Sequence, residues 1–568
     1  MARGNRWLRF ILIALGAAIL YLPGLGRPAL WEPDEGRYAE IAREMVATGD
    51  YVTPRDDQQR YFEKPPLVYW AEAESIKIFG ANEFAVRLPA ALFSVGQVVV
   101  TAALAEAMLG ADTAILAAMT LALSPLFFGF ARFATLDPAL AFFLTAAIGA
   151  FYAAARAPAF DSRTARLWML FTSAMLALGT LAKGPVALLL GGLIALVWIV
   201  IEKRGREIRK MPLITCAIVY VAIVAPWFVL TEMRNPGFLH FFFVHEHLQR
   251  YVSSSEHGWG LWFFIPILIG GAWPWIFFAP DGFLALYSGS TPVGESRRSE
   301  ARLLAIWFVL IFVFFSIPRS KLGSYILPAI PPLAIAAGNG LYRLRAMSAE
   351  SRSRLLLWFL AVNAIGAIAG AAVVYGFVNR AHPALAQDAV IVALFIVVGA
   401  IMMYGTAHDQ GRVGYGAAAM ALAMIATLGL GERARRDVAP LTTYRDLASI
   451  VKPYVQGGCV LGSYRHYVQS LPFYTGTIET RVEYWGELAE TGEPETLDRR
   501  FFIGSESSLK HTWGSGTCMV LIVNRKDLAA LTASLAPPPT VLGCEGKKIA
   551  LLNGHADSAA PNCAQDGG

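Results

Sequence analysis

The chain has 568 residues, of which 56% are apolar and only 16% are charged, and its mean hydropathy is +0.48. This composition excludes an ordinary soluble protein and is typical of a membrane protein. The formal net charge of +6 would suggest nucleic-acid binding in a soluble protein. In a membrane protein that excess belongs to cytoplasmic loops, so we expect no nucleic-acid partner.

The chain opens with a basic stretch and an apolar run, MARGNRWLRFILIALGAAILYLPGL. A cleaved signal peptide has the same order, but no small-x-small cleavage site follows, so we interpret the run as a retained membrane helix. A span needs about 20 mostly apolar residues, and this rule predicts about thirteen transmembrane helices. The predicted spans are residues 8–25, 86–109, 113–130, 138–155, 166–182, 185–201, 211–230, 260–280, 301–317, 325–341, 355–377, 387–405 and 413–430.

Lys and Arg are concentrated in alternate connections, such as RAPAFDSRTAR, EKRGREIRK and GESRRSEAR. This pattern predicts a cytoplasmic N-terminus, and an odd number of spans then places the chain from residue 432 on the external face. We therefore expect a transmembrane catalytic domain at 1–431, including a first external loop at 26–85. An α/β domain at 432–557 and a disordered tail at 558–568 would follow.

Two segments of the first loop, DEGRYAEIAREMVATGD and PPLVYWAEAESIKIFG, are predicted to form interfacial amphipathic helices; the alternative is solvated connectors. In the soluble domain GCVLGSYR, TCMVLIVN and KKIALLN predict strands, while YRDLASIVKPYV and RKDLAALTASLA predict helices. Cys459, Cys518, Cys544 and Cys563 would form two disulfides in an oxidising compartment.

The predicted spans are almost free of ionisable residues, which argues against an ion-coupled transporter. The charged, imidazole and phenol groups that we expect in one external pocket are Asp34, Glu35, Arg37, Tyr61, Glu63, Lys64, Arg132, Asp137, Lys183, His245, Glu246, His247, Arg250, Arg319, Lys321 and Tyr325. Cations favour a phosphate leaving group, while carboxylates accept a proton or hold a sugar. Glycosyl transfer from a lipid-linked sugar phosphate needs both kinds of group, and it needs no nucleotide sugar.

Six motifs in order carry a family resemblance: EPDEGRYAEIAREMVATGDYVTPR, RYFEKPPLVYW, LDP, AKGP, EHLQRY and SKLGSYILPAIPPLAI. Together they resemble the transferases of the glycosyltransferase C (GT-C) fold that use polyprenyl-phosphate sugars. The greatest likeness is to the bacterial aminoarabinose transferases that modify lipid A, which are related to the protein O-mannosyltransferases.

The resemblance implies a multi-pass enzyme of the bacterial inner membrane with a periplasmic active site. It would transfer 4-amino-4-deoxy-L-arabinose, with inversion, from undecaprenyl phosphate to a lipid A phosphate, which gives resistance to polymyxin and cationic peptides. The same fold with another polyprenyl-phosphate sugar, such as mannosyl transfer to protein or glycan, is the alternative. A lipid flippase is a third hypothesis.

The resemblance also implies that Asp34 and Asp137 are the catalytic acidic residues. Because a lipid A phosphate is already ionised near neutral pH, Asp34 would orient the acceptor or the sugar. If the acceptor were a hydroxyl, as in the mannosyltransferases, Asp34 would instead be a conventional base. The residues that we expect to bind the donor phosphate or lipid are Arg37, Tyr61, Lys64, Arg250, Lys321 and Tyr325.

Each prediction has a structural alternative. Asp34 and Asp137 could be helix N-caps. Lys64 and Arg250 could reach head groups as snorkelling side chains, and Tyr61 and Tyr325 could belong to an interfacial aromatic belt. We expect no required cofactor, although Glu63 and His245 could hold a divalent metal such as zinc; the alternative is that the imidazoles bind head groups or backbone.

Overall fold

The computed structural model describes residues 3–249, 258–288, 297–379, 382–408, 412–439, 442–484 and 502–554. Contacts divide the chain into two compact units. The first, called the membrane unit here, comprises Met1–Pro23, Ala90–Met233 and Phe242–Ala434. The second, called the loop–tail unit, comprises Gly24–Pro89, Arg234–Phe241 and Arg435–Gly568.

Apolar helices make up most of the membrane unit. Eight described helices are long and apolar enough to cross a membrane: Glu83–Leu109, Asp137–Ala155, Arg163–Lys183, Leu213–Arg234, Arg298–Ser316, Ala349–Val378, Pro383–Ala407 and Val413–Val438. The helix Asp137–Ala155 is the most enclosed, with 83% of its apolar window buried, whereas Ala349–Val378 has 17% buried and presents its apolar side chains outward. Outward-facing apolar side chains are expected where lipid replaces water.

Two further spans are broken helix pairs. Ala111–Ala122 and Pro125–Ala131 meet at 68°, and Phe264–Gly271 meets the segment Trp275–Ser288 at 97°. Pro125 follows the first break, and a proline lacks the N–H that would continue the helix. The chain therefore has up to ten spans if each bent pair crosses once.

Every predicted span coincides with a described helix or with a run of helices. Three predicted spans fall on helices outside the group of ten, namely Arg3–Tyr21, Val186–Ile201 and Ile330–Arg343. The polytopic helical architecture is confirmed, while the number thirteen stays a prediction. The remaining short helices of the membrane unit are Gly205–Lys210, the π-helix Phe241–Gln249 at its border, Trp275–Phe278, Ala279–Ser288 and Gly323–Ala329.

The loop–tail unit combines the first loop with the soluble domain. The predicted loop helices form at Asp34–Thr48 and Leu67–Phe79, and a two-stranded hairpin, Arg55–Asp56 with Gln59–Arg60, lies between them. Ten of the fifteen residues of Asp34–Thr48 are buried, so protein encloses this helix on most sides. The other helices of the unit are Phe238–His240, Arg445–Gln456, Ser470–Thr475, Glu506–Gly514, Arg525–Asp527 and Leu528–Ser534.

A six-stranded sheet forms the core of the soluble domain. Its spatial order is Phe502–Ile503, Glu479–Val482, Val460–Tyr464, Met519–Asn524, Lys548–Leu552 and Thr540–Glu545. The first four strands are parallel and the last two are antiparallel to their neighbours. The α/β prediction is confirmed, with three strands that it did not include: Glu479–Val482, Phe502–Ile503 and Thr540–Glu545.

One disulfide, Cys459–Cys518, joins the beginnings of two neighbouring parallel strands. Cys563 lies outside the described residues, so the second predicted pairing stays a prediction. The free cysteine of the described chain is Cys216 in the membrane unit.

Candidate active site

Asp34 is the first residue of a helix in the loop–tail unit. Pro33 occupies the N-cap position of Asp34–Thr48 and makes no side-chain capping hydrogen bond, so the N-cap alternative for Asp34 is wrong. The half-buried Asp34 carboxylate lies in the first turn, where the helix dipole favours a negative charge. A fixed carboxylate at this point can orient a positively charged or hydroxyl-bearing substrate.

Four of the predicted donor-binding and metal residues form a connected group in the loop–tail unit. Arg37 is 7% exposed, and its guanidinium carbon lies 5.7 Å from the centroid of the Tyr61 ring. The Tyr61 hydroxyl donates a hydrogen bond to a Glu63 carboxylate oxygen at 3.1 Å, and the Lys64 ammonium lies 4.0 Å from the same oxygen. Tyr61 is buried, which raises the pKa of its phenol and is not the position of a residue in an exposed aromatic belt.

The neighbouring Glu35 has a structural role. Its two oxygens accept hydrogen bonds from Arg87 at 2.7 Å each, and both side chains are fully buried. Arg87 also donates to the carbonyls of Leu25, Pro28 and Ala29 at 2.6–3.0 Å. This pair fixes the chain that leads into Asp34, and no motif in the sequence indicates this role for Arg87.

A second feature that the sequence analysis missed is a buried carboxylate cluster. Glu40, Glu44 and Asp57 each have an oxygen within 4.8 Å of the others, and this is the only such group of three potential ligands in the part of the chain that the structure describes. Arg43 donates two hydrogen bonds at 2.7 Å to Glu40, and the backbone N–H of Gln58 donates one at 2.7 Å to Glu44. Burial raises the pKa of Glu44 to about 9 and that of Asp57 to about 8, so protons neutralise these two carboxyls near pH 7.

The membrane unit places Asp137 in a buried ion pair. Asp137 is the first residue of Asp137–Ala155 and Leu136 is in the N-cap position, so the cap alternative is wrong here too. The Asp137 carboxylate pairs with the ammonium of Lys183, which lies 4.3 Å from the centroid of the Tyr325 ring. The structure thus joins three predicted residues from the motifs LDP, AKGP and SKLGSY.

Lys321 is held by a backbone carbonyl of the membrane unit. Its side chain is 2% exposed, and its ammonium donates to the Trp259 carbonyl at 2.9 Å. The expectation that Lys321 and Tyr325 reach the same phosphate stays a prediction. Arg132, from the same predicted pocket, donates to the carbonyls of Tyr21 and Pro23 at 2.5 and 2.9 Å, where the first helix ends.

The segment that carries the predicted histidines is a π-helix, Phe241–Gln249, in which the His245 side chain is half-buried. Arg250 and the His247 side chain lie outside the described residues. The proposed metal ligands Glu63 and His245 therefore stay a prediction, as does the role of Arg250.

Comparisons with known proteins identify the fold and the family of this chain. A family model described as dolichyl-phosphate-mannose-protein mannosyltransferase matches residues 7–242. The crystal structure of ArnT from Cupriavidus metallidurans bound to undecaprenyl phosphate superposes with a TM-score of 0.82 at 29% identity. That alignment covers 99% of this chain and 100% of the other.

Two relatives carry the name undecaprenyl phosphate-alpha-4-amino-4-deoxy-L-arabinose arabinosyl transferase. The protein from Erwinia tasmaniensis is 32% identical over 66% of this chain and 67% of its own length. The protein from Aeromonas salmonicida is 32% identical over 68% of this chain and 70% of its own length. The described fold is therefore the GT-C fold, and the chain belongs to the family of undecaprenyl phosphate aminoarabinose arabinosyl transferases.

Proposed function

We propose that this protein transfers 4-amino-4-deoxy-L-arabinose from undecaprenyl phosphate to a phosphate of lipid A. Membership of the arabinosyl transferase family, with a structural match over 99% of the chain, carries this proposal. The acceptor and the place of reaction, the periplasmic face of the bacterial inner membrane, are part of the proposal. The positive charge of alternate loops and the Cys459–Cys518 disulfide support that placement.

The proposed reaction is a direct displacement at the anomeric carbon. An oxygen of the acceptor phosphate bonds to that carbon while the bond from the carbon to the undecaprenyl phosphate oxygen breaks. The electron pair leaves with undecaprenyl phosphate, and the anomeric centre is inverted. A phosphate monoester has a second pKa of about 6, so near pH 7 the acceptor needs little help from a base.

This chemistry assigns Asp34 an orienting role. Its carboxylate would bind the ammonium of the amino sugar or align the acceptor, while Arg37 and Lys64 stabilise the charge on the departing phosphate. The burial of Arg37 supports its role in stabilising the leaving phosphate, because a cation shielded from water interacts more strongly with a phosphate. Tyr61 would keep Arg37 in place through the face of its ring.

In the membrane unit we propose that Asp137 holds the ammonium of Lys183 in position. The ion pair argues against Asp137 as a base, because accepting a proton would break its contact with a buried cation. Lys321, Tyr325 and Arg250 are kept as proposed donor-binding residues. Lys183 joins them as a cation that the motif AKGP supplies.

We propose that transfer needs no cofactor, since Arg and Lys side chains can neutralise the leaving phosphate. Glu63 and His245 are the residues to examine if a metal is required. Transfer by the purified protein should persist after chelation with EDTA. A loss of activity that zinc restores would contradict this proposal.

Mass spectrometry of lipid A from cells with and without the protein tests the function directly. We expect an added aminopentose only when the protein is present. Purified protein with undecaprenyl-phosphate aminoarabinose and lipid A in detergent should give the same product. A gained hexose, or sugar on protein, would support the mannosyl alternative, and absence of any transfer would favour a flippase.

A further inference from the structure

Glu32 connects the chain just before Asp34 to the soluble domain. Its carboxylate accepts hydrogen bonds from the backbone amides of Gln469 and Ser470, at 2.9 and 2.8 Å. Its own backbone N–H donates to the Thr442 carbonyl at 3.1 Å. Both the side chain and the main chain of Glu32 are therefore held by residues more than 400 positions later in the sequence.

Two contacts flank this attachment and lie on either side of Asp34. The Leu30 amide donates to the Tyr474 hydroxyl at 2.8 Å. Gly36 packs so closely that a Cβ there would lie 2.7 Å from the Ser470 nitrogen. Residues 30, 32 and 36 thus all contact the short stretch 469–474, and Asp34 lies between them.

The stretch 469–474 lies next to the sheet at a position where related folds bind ligands. Residues 469–470 follow the carboxyl end of the strand Val460–Tyr464. From that strand the chain first forms Glu479–Val482 on one side and later Met519–Asn524 on the other, so this is the switch point of the parallel sheet. Open α/β sheets bind ligands at the switch point, outside the carboxyl ends of the strands. In this protein the Glu32 carboxylate, from the first loop, binds beside that position.

Charged and polar side chains surround the Glu32 carboxylate. Arg37 of the loop helix, Lys548 of the sheet and the phenol of Tyr444 interact electrostatically with it. Exclusion of water nevertheless raises the pKa of Glu32 to about 7.

We propose that Glu32 is a positioning residue through which the soluble domain fixes the Asp34 segment for sugar transfer. The inference rests on the proposed function of Asp34 and gives the soluble domain a role in the reaction. Glu32 itself would touch neither the sugar nor the phosphates. Its effect would pass through the backbone from residue 32 to residue 34 and into the first helical turn.

The test compares Glu32→Ala and Glu32→Gln in the purified full-length protein. We expect Glu32→Ala to lower kcat about tenfold or more, with the donor KM within about twofold, because the Asp34 segment loses its position while the donor-binding cations remain. Glu32→Gln keeps a carbonyl oxygen that accepts one amide, so it should recover a large part of kcat.

The pH profile gives a readout that a purely stabilising role would not move. Below pH 7 a protonated Glu32 carboxyl accepts its two amide bonds less well, so wild-type kcat should fall relative to that of Glu32→Gln. Parallel profiles for the two proteins would overturn the proposal. Gly36→Ala tests the same attachment from its other side and should also lower kcat rather than raise KM.

Two controls separate positioning from general stability. Glu483 accepts the Glu506 amide at 2.6 Å within the soluble domain, and Glu483→Gln should leave kcat within about twofold. Arg445 donates a hydrogen bond to Glu83 at 3.0 Å and so ties the loop to the soluble domain through a residue outside the stretch 469–474. If Arg445→Gln lowered kcat as much as Glu32→Ala, positioning by Glu32 would be refuted.

Failure of this inference is distinguishable from failure of the proposed function. Wild-type kinetics in Glu32→Ala, together with inactive Asp34→Asn, would refute only the positioning role. Full activity of Asp34→Asn would instead refute the role assigned to Asp34.

Discussion

Asp34 and Asp137 have the same place in their helices and different surroundings. Each is the first helical residue, and neither is the N-cap. Asp137 is 4% exposed and paired with Lys183, whereas Asp34 is half-buried. The two carboxylates thus differ in exposure and not in helix position. The more exposed Asp34 is suited to bind substrate, and the enclosed Asp137 is suited to hold Lys183.

Substitution of Asp34 by Asn should therefore lower kcat strongly. We expect a fall of roughly 10²–10³-fold, the usual effect of removing one electrostatic contact to the reacting groups. Transfer rates from pH 6 to 9 check this result. The fall should persist across the range if Asp34 orients a substrate, whereas an acceptor that needs a base would show it most at low pH.

The matched control for this substitution is Asp446→Asn. Asp446 lies in the first turn of Arg445–Gln456 in the same unit and is exposed. Its replacement should leave kcat within about twofold. Equal losses in the two variants would show that the helix terminus, and not the Asp34 carboxylate, accounts for the effect.

The buried pair of Glu35 and Arg87 leads to a stability prediction. Arg87→Met leaves a buried carboxylate without its cation, which costs about 3–5 kcal/mol of unfolding free energy. Thermal unfolding of the purified protein in detergent should show a clear fall in Tm. The exposed pair Lys77–Glu74 is the control, and Lys77→Met should change stability by less than about 1 kcal/mol. A Tm unchanged by Arg87→Met would contradict the structural role.

At the scale of elements, hydropathy predicted the spans and missed their breaks. An apolar run reports that a segment suits lipid, but it carries little information on bends such as that of 97° near Trp275. The soluble strand Met519–Asn524 was predictable because five of its six residues form an apolar run, and Val460–Tyr464 because it begins with Val and Leu and ends with Tyr, all of which favour strands. Glu479–Val482 was not predictable, because three of its four residues, Glu, Thr and Arg, are polar or charged although all four are buried.

The candidate site divides in the same way. Asp34, Arg37 and Lys64 could be proposed as site residues because they belong to local motifs. Arg87 and the amides of residues 469–470 were missed because their partners lie 52 to 438 residues away, and no local periodicity reports such contacts. Motifs therefore identified the groups suited to chemistry, while the groups that hold them required the fold.

The disulfide gives a prediction for one element pair. Cys459 and Cys518 are 59 residues apart, and closing a loop of that length stabilises a fold by about 2–4 kcal/mol. The double variant Cys459→Ala, Cys518→Ala should lower Tm, while Cys216→Ala, which removes a free thiol, should change it less. A reducing agent should lower the Tm of the wild type by more than it lowers the Tm of the double variant.

At the scale of the whole molecule, the loop–tail unit is assembled from three separate stretches of sequence. Its stability should depend on pH because Glu44 and Asp57 have folded pKa values near 9 and 8, against ordinary values of 4.5 and 3.8. Glu40 and Asp56 face the Glu44 carboxyl and raise its pKa further. Between the ordinary and the raised pKa the folded state binds more protons, so stability falls as pH rises.

We expect Tm to fall from pH 6.5 to pH 8. Below this window, His466 contributes a rise in stability with pH because burial lowers its pKa to about 3. Above the window, Lys548 contributes a similar rise because its pKa is lowered to about 8. Glu44→Gln should flatten the fall, while Glu506→Gln, whose carboxyl titrates below the window, should not. A wild-type Tm that rises across the window would refute the prediction.

The attachment of residue 32 to residues 469–470 has a consequence for the order of synthesis. The loop is made early, whereas the amides that hold it are made hundreds of residues later, after every predicted span. A chain interrupted before residue 469 would carry the predicted spans, Asp34 and Asp137. Its Asp34 segment would keep the Glu35–Arg87 pair but would lack the bonds from Glu32 to residues 469–470. The soluble domain would then act as a completion check, so that truncated chains in the membrane cannot consume the lipid-linked sugar.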